Sequence, residues 1–188
     1  MSRLVFMLEE PSIKILLENL LPRLFPGVEV LCIAHQGKND LEKSLPRKLR
    51  GWDRPNDRFI VLRDSDGRDC KELKASLARI CADAGRSDCL VRIVCQELEA
   101  WYFGDPEAMA EAFGDESLRS LGAKARYRIP DAIAKPSQEL CSLLPGFQKI
   151  DGARRMAGHM AYASNKSASF RALVEGVARI ASQPTPAQ

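Results

Sequence analysis

The segment most informative about the fold is Arg58-Phe59-Ile60-Val61-Leu62-Arg63-Asp64-Ser65-Asp66-Gly67. Its four consecutive apolar residues predict a strand buried on both faces, as in the centre of a parallel sheet. Ligands of such sheets bind beyond the carboxyl ends of the strands, where Asp64 and Asp66 lie. Two carboxylates this close repel each other, so a divalent cation between them is their natural partner. The alternative is a polar turn in which Asp64 or Asp66 caps the following helix.

Three further apolar runs predict strands, and residues at helical spacing separate them. The runs are Leu4–Leu8, Val28–Ala34 and Leu90–Cys95. Strands that alternate with helices predict an α/β fold with a mostly parallel four-stranded sheet flanked by helices, of the Rossmann-like kind. Within this part we expect Pro22 to bend or end its helix, Asn39 to cap a helix over 40–49, and Pro46 to interrupt that helix.

The chain changes character after Phe103, where no strand pattern remains. Helical pieces are expected near 105–113, 136–144, 152–161 and 167–181. We therefore divide the chain into an α/β core (1–103), a C-terminal helical annex (104–182) and a disordered tail (183–188). Between Arg119 and Arg179, eleven cations face four acids. This excess favours contact with a phosphate backbone, or it is the solvated face of the annex.

Size and composition bound the function without deciding it. A chain of 188 residues can bury a core, and its net charge of +3 does not by itself establish a nucleic-acid partner. No apolar run approaches the roughly 20 residues that span a membrane, and Glu9 and Glu10 argue against a signal peptide. The six cysteines form no Cys-x-x-Cys pair, so we interpret them as buried or incidental thiols of a reducing cytoplasm. A cytoplasmic protein without membrane contact is expected.

Acidic residues follow three of the four predicted strands. Since parallel strands end at one edge of a sheet, these acids are expected to share one site without a strong cation nearby. Such a site suits Mg²⁺ or Mn²⁺, which would activate water and neutralise phosphoryl charge. Only one of Glu97 and Glu99 can face it, because residues i and i+2 diverge on a helix. We expect Glu99 in the site, with Trp101 packing beneath. The predicted metal ligands are Glu9, Asp64, Asp66 and Glu99.

Basic residues near these acids are candidate phosphate contacts. Lys38 is the candidate for a catalytic contact to the scissile phosphate, beside Glu9, Asp64 and Asp66. The pair Gly37-Lys38 lacks the surroundings of a P-loop, so the chain is not expected to hydrolyse ATP itself. His35 and His159 are interpreted as structural. The candidate nucleic-acid contacts are Lys38, Arg47, Lys48, Lys149 and Arg154.

These motifs resemble the Toprim domain, the metal-binding module of topoisomerases, DnaG-type primases and OLD (overcoming lysogenization defect) nucleases. Leu8-Glu9-Glu10-Pro11-Ser12 resembles its Val-Glu-Gly-x-x start, with Glu10 where the family often has Gly. Arg63-Asp64-Ser65-Asp66 resembles its Asp-x-Asp motif. The resemblance implies that Glu9, Asp64 and Asp66 bind the metal.

More of the chain resembles a Toprim-like family of unknown function that is related to RloB and usually encoded beside an ABC-type ATPase. The resemblance implies a metal-dependent nuclease of a bacterial phage-defence system, acting on nucleic acid with that ATPase; a homo-oligomer is left open. The segments that carry it are Glu9–Ser12, His35–Leu41, Leu45–Arg50, Arg63–Asp66, Glu97–Trp101, Phe147–Lys149 and Ser169–Phe170.

Two other functions remain open. The first is a non-catalytic Toprim-like module that binds metal or nucleic acid, or regulates an ATPase. The second is a phosphatase, since Val61–Gly67 also resembles the nucleophile loop of the haloacid-dehalogenase type. That loop usually follows the first strand, whereas here it follows the third, and Arg68 stands where Thr or Val is expected.

Overall fold

The structure, a computed structural model, describes residues 3–183. Four parallel strands form one sheet in the order β2-β1-β3-β4. This confirms the predicted fold class, and β3 is central and fully buried over most of its length, as its apolar run predicts. The strands are β1 (Leu4–Leu8), β2 (Val30–Ala34), β3 (Arg58–Asp64) and β4 (Leu90–Val94).

The strand register brings all carboxyl ends to one edge of the sheet. Leu8 at the end of β1 pairs with both Ala34 and Leu62. Asp64 at the end of β3 pairs with Val94. The segments that follow the four strands therefore lie side by side.

Helices cover both faces of the sheet, as alternation of the strand side chains requires. Val5 and Met7 of β1 belong to the core under α2 and α3, whereas Leu4, Phe6 and Leu8 point into the larger core on the opposite face. The helices are α1 (Pro11–Leu24), α2 (Lys38–Arg50), α3 (Cys70–Asp83), α4 (Glu99–Phe103), α5 (Pro106–Phe113), α6 (Pro136–Leu143), α7 (Lys149–His159) and α8 (Ala168–Ala181).

Helix caps differ from the expected ones at two places. The side chain of Asp69 caps α3, accepting bonds from the N–H groups of Lys71 and Glu72 at 2.8 and 2.9 Å. The alternative that Asp64 or Asp66 caps this helix is therefore wrong. Helix α2 begins at Lys38 after Gly37, whose φ of 87° suits glycine, so the expected cap at Asn39 is also wrong.

Two prolines lie inside helices without ending them. Pro46 does not interrupt α2, because buried Leu41, Leu45 and Leu49 hold both halves of that helix on the sheet. Pro22 lies inside α1, which ends two residues later at Leu24. Tertiary packing therefore outweighs the local cost of the missing hydrogen bond.

The C-terminal part shares a core with the sheet. Trp101 and Phe170 place their ring centroids 5.3 Å apart, and Arg92 of β4 donates a 2.9 Å bond to the carbonyl of Ala172 in α8. Three 3₁₀ helices between 116 and 132 were not anticipated. The division at residue 103 stays a prediction, and the expected tail lies outside the described residues from 184 onward.

The described ends meet at the amino edge of the sheet. Arg58, which begins β3, donates its backbone N–H to the carbonyl of Arg3 at 3.0 Å. Its guanidinium donates to Oε1 of Gln183 at 2.7 Å. Within residues 3–183, no helix has the length and apolar character needed to cross a membrane.

Candidate metal centre at the carboxyl edge

Glu9 and Asp64 meet where β1 and β3 end. The backbone N–H of Asp64 donates a 3.1 Å hydrogen bond to Oε2 of Glu9. On the other side, the carbonyl of Glu9 accepts a 3.0 Å bond from Gly37. Glu9 is thus fixed by the segments that follow β2 and β3. Burial raises the pKa of Glu9, and the charge of Asp66 raises it further.

The Asp64 side chain is buried beside other acids. It is 5% exposed, and its Oδ1 atom has no hydrogen-bond partner among the described residues. Burial raises the pKa of Asp64 well above its usual value, and the neighbouring charges of Glu10, Glu9 and Glu99 add to this. A buried carboxylate without a donor is costly unless a cation or a proton compensates it.

Glu99 reaches the same place from β4. It is the first residue of α4 and is fully buried, and neither carboxylate oxygen has a hydrogen-bond partner in the described part of the chain. Burial raises the pKa of Glu99 to about 7. Glu97 turns away, because its Oε2 accepts a 2.8 Å bond from the N–H of Ser137 in the first turn of α6.

Asp66 lies on a loop that Gln96 holds. Its φ of 50° is in the left-handed region, which aspartate tolerates. The N–H of Asp66 donates to the carbonyl of Gln96 at 3.2 Å. The side-chain Oε1 of Gln96 accepts bonds from Ser65 Oγ at 3.0 Å and Gly67 N at 2.9 Å. Gln96 therefore sets the position of the Asp-x-Asp loop, a role the sequence analysis missed.

Cations neutralise part of this cluster, so the expectation of acids without a strong nearby cation is wrong. Lys38 Nζ lies 2.9 Å from Asp66 Oδ2. Lys149 Nζ lies 3.7 Å from Glu10 Oε2 and 3.8 Å from Glu99 Oε1. Both lysines are the first residues of helices, α2 and α7, that begin at this edge of the sheet. The Lys149 ammonium thereby supplies counter-charge to buried Glu99, whereas Asp66, the partner of Lys38, is exposed.

A buried arginine and tyrosine complete the surroundings, and the sequence analysis assigned neither. Arg63 is 1% exposed, pairs with Glu42 of α2 and lies 3.7 Å from Oε2 of Glu9 through its Nε. The Tyr102 hydroxyl is buried and has no hydrogen-bond partner in residues 3–183. Burial raises the pKa of Tyr102 well above its usual value, and the charge of Glu99 adds to the shift.

The remaining predicted basic residues lie around the centre rather than in it. Lys48 Nζ lies 2.8 Å from His35 Nε2, while the Nδ1 of that histidine lies 2.8 Å from the carbonyl of Leu8. Burial lowers the pKa of His35, so this ring is a neutral link between β1 and α2. Arg47 is exposed on α2, and Arg154 is exposed on α7 with Asp151 at 3.9 Å.

The chemistry of this centre fits a hard divalent cation. Buried carboxylate oxygens without donors, on Asp64 and Glu99, are the ligand atoms that Mg²⁺ and Mn²⁺ prefer. In the described part of the chain, however, no three Asp, Glu, His or Cys side chains are placed to hold one ion together. As they lie, these side chains therefore do not form a complete ion site.

Fold and site define a class: an all-parallel α/β protein with a buried carboxylate cluster at the carboxyl edge of its sheet. Within that class, the chain belongs to the family described as a domain of unknown function (DUF4276), which matches residues 8–178. No curated protein matches the chain.

Two solved structures are similar to the chain, and the first shows the same fold. The C-terminal region of the Burkholderia pseudomallei OLD protein is 18% identical and superposes with a TM-score of 0.50, over 96% of this chain and 98% of that one. The C-terminal region of the Xanthomonas campestris pv. campestris OLD protein is 19% identical, with a TM-score of 0.48 over 95% and 96% of the two chains. At these identities the likeness is one of fold alone.

Proposed function

We propose that this protein is a divalent-metal-dependent nuclease whose centre is the carboxyl edge of the sheet. The observation that carries the proposal is the pair Asp64 and Glu99, two buried carboxylates with unpartnered oxygens that converge from different strands. Stability alone does not explain such a pair, because Oδ1 of Asp64 has no partner among the described residues and the Lys149 ammonium near Glu99 is shared with Glu10. Perturbed carboxylates clustered at a sheet edge are typical of a functional site.

The predicted ligands Glu9, Asp64, Asp66 and Glu99 would hold Mg²⁺ or Mn²⁺. When bound, the ion lowers the pKa of a water molecule and neutralises charge on the phosphoryl oxygens. Arg63 and the N–H of Asp64 fix the carboxylate of Glu9, which serves as a ligand or as general base.

The two lysines supply the phosphate contacts. Lys38 and Lys149 lie against carboxylates of this edge, among them the predicted ligands Asp66 and Glu99. With a metal held by these carboxylates, both ammonium groups would remain available at this edge as contacts for a phosphate. Arg47, Lys48 and Arg154 extend this positive surface along α2 and α7 for the flanking nucleic acid. Action with an ABC-type ATPase in phage defence, implied by the family resemblance, belongs to the same proposal.

The test measures metal binding and cleavage on the same samples. Full-length wild type is titrated with Mn²⁺ by calorimetry and incubated with duplex DNA, single-stranded DNA and RNA. Asp64→Asn and Glu99→Gln keep side-chain volume and remove charge, and Asp83→Asn, exposed at the end of α3, is the matched control. We expect both site variants to lose binding and at least about 100-fold in cleavage rate, while the control matches wild type.

Other outcomes separate the remaining hypotheses. Cleavage by a folded Asp64→Asn protein would exclude this site as the nuclease centre. Tight binding of metal or nucleic acid without cleavage of any substrate would support the non-catalytic module. Release of phosphate from a chromogenic phosphomonoester, lost in Asp64→Asn, would support the phosphatase.

A further inference from the structure

Two cysteines face each other directly behind the Asp-x-Asp loop. The Sγ atoms of Cys70 and Cys95 lie 2.7 Å apart, although 25 positions separate the residues in sequence. Cys70 is the first residue of α3, and Cys95 follows the last residue of β4. Both residues are half-buried free thiols. Since sulfur atoms in a disulfide are about 2.05 Å apart, a bond requires only a sub-ångström approach.

A second pair joins the same two elements at their other ends. Cys81 lies in the last turn of α3, and Cys89 precedes β4. Their thiols are hydrogen-bonded, and this bond lowers the pKa of Cys81. The turn between them is closed by the N–H of Arg86, which donates to the carbonyl of Cys81 at 2.9 Å. The thiols of α3 thus lie in pairs, an arrangement that the expectation of buried or incidental thiols did not include, although Cys81 is buried as that expectation allows.

We propose that Cys70 and Cys95 form an oxidative modification site, at which a peroxide converts the two thiols into an intramolecular disulfide. This proposal is independent of the nuclease function. Neighbouring thiols that are partly accessible and held in contact are the arrangement from which such a bond forms most readily.

The reaction balances with hydrogen peroxide as the oxidant. The Cys70 thiolate attacks one peroxide oxygen, the O–O bond breaks, and a sulfenic acid and one water result once the leaving hydroxide takes up a proton. The Cys95 sulfur then attacks the sulfur of Cys70 and displaces the second water. Two thiols are oxidised to a disulfide, and one peroxide is reduced to two water molecules. Burial raises the pKa of the Cys95 thiol, which favours Cys70 as the first nucleophile.

The modification would fix the loop that carries Asp66. That loop is already held on one side by Gln96, the residue after Cys95, and on the other by the Asp69 cap before Cys70. A covalent bond between Cys70 and Cys95 joins these two supports. The distance between the start of α3 and the end of β4 can then no longer change.

The test identifies the bond by peptide mapping. Full-length protein is treated with hydrogen peroxide, its remaining thiols are alkylated, and it is digested with trypsin. We expect peptide 69–71 linked to peptide 93–119, and the link disappears in Cys70→Ser, in Cys95→Ala and after reduction. Cys141→Ser, which removes an exposed thiol outside both pairs, is the control and should leave the link unchanged.

Two results would overturn the proposal. One is oxidation of Cys141 in the same sample, which shows that the peroxide is active, without the 69–71 to 93–119 link. The other is a link that forms only between chains, seen as a dimer on a non-reducing gel. A melting temperature that rises on oxidation of wild type but not of Cys70→Ser supports the intramolecular bond without digestion.

Discussion

The backbone N–H of Asp64 donates a 3.1 Å hydrogen bond to the side-chain Oε2 of Glu9. The same oxygen lies 3.7 Å from the Nε of Arg63. Two consecutive residues of β3 therefore place an amide and a guanidinium beside it. The end of β1 is thereby fixed to the end of β3 by a side chain as well as by the sheet. Glu9 thus has a defined orientation before any ion binds, as a metal ligand or a general base requires.

Arg63→Met should destabilise the fold. Arg63 is buried, and its removal leaves Glu42 unpaired and Glu9 without its neighbouring charge. Glu42 is partly exposed, so we expect a loss of about 2–4 kcal/mol in the free energy of unfolding, measured by urea denaturation. Arg47→Met on the exposed side of α2 is the control and should change it by less than about 0.5 kcal/mol. Equal stabilities of the two variants would contradict the assigned role of Arg63.

Glu99→Gln should stabilise the metal-free protein at high pH. Burial raises the folded-state pKa of Glu99 from 4.5 to about 7. The contribution of Glu99 to wild-type stability is therefore fully present below pH 4.5 and is lost as pH rises through 7. The variant lacks this ionisation. In EDTA we expect the variant and the wild type to have equal free energies of unfolding near pH 4.5. At pH 8 the free energy of unfolding of the variant should be higher by up to about 3 kcal/mol. Asp83→Asn should follow wild type at both values, and a less stable Glu99→Gln at pH 8 would refute the raised pKa.

Lys149→Met should strengthen binding of Mn²⁺. The Lys149 ammonium lies 3.7 Å from Glu10 and 3.8 Å from Glu99, where it would compete with a metal ion for their charge. Its removal should tighten the dissociation constant at pH 8 by about two- to tenfold. Calorimetry measures this, with Lys74→Met on the exposed side of α3 as the control. Weaker binding in Lys149→Met would mean that the ion binds elsewhere.

Gly104→Ala should destabilise the junction between α4 and the segment before α8. A Cβ at Gly104 would lie 2.2 Å from Oδ1 of Asn165 and 2.9 Å from the backbone nitrogen of Ser167. We expect a loss of about 1–3 kcal/mol in thermal or urea unfolding. Gly158→Ala in α7 is the matched change, because its Cβ meets nothing within 4 Å. Its free energy of unfolding should increase by about 0.5–1 kcal/mol. A decrease of similar size in both variants would show that the contact at Gly104 is unimportant.

The sheet and its acidic edge could be predicted from sequence because both follow from short-range patterns. An apolar run ending in Asp64-Ser65-Asp66 predicts a buried strand with two carboxylates at its carboxyl end. Once the strands are parallel, Glu9 and Glu99 must come to the same edge. Of the two acids after β4, Glu97 accepts a bond from Ser137 and Glu99 is buried at the start of α4. Glu97 precedes that helix, so the expected divergence of i and i+2 on one helix is not what separates them.

The charge balance of the centre could not be predicted, because it depends on contacts between residues far apart in sequence. Lys149 reaches Glu10 across 139 positions only because α7 packs on α1. Arg63 lies inside a buried strand, where a guanidinium is unexpected. Its partner Glu42 belongs to α2, 21 positions earlier in the chain. In the sequence, Tyr102 is indistinguishable from an ordinary core aromatic residue. Only the structure shows the carboxylates around its hydroxyl.

The contact of Arg58 with both Arg3 and Gln183 has a practical consequence for single-molecule work. All three residues lie at the amino edge of the sheet, and Asp64 ends the same seven-residue strand that Arg58 begins. At about 3.3 Å per residue, the two edges are about 20 Å apart. A dye or surface tether attached at Arg3 or Gln183 therefore lies at the edge of the sheet opposite the carboxylates, so an immobilised molecule does not have its attachment point at that site.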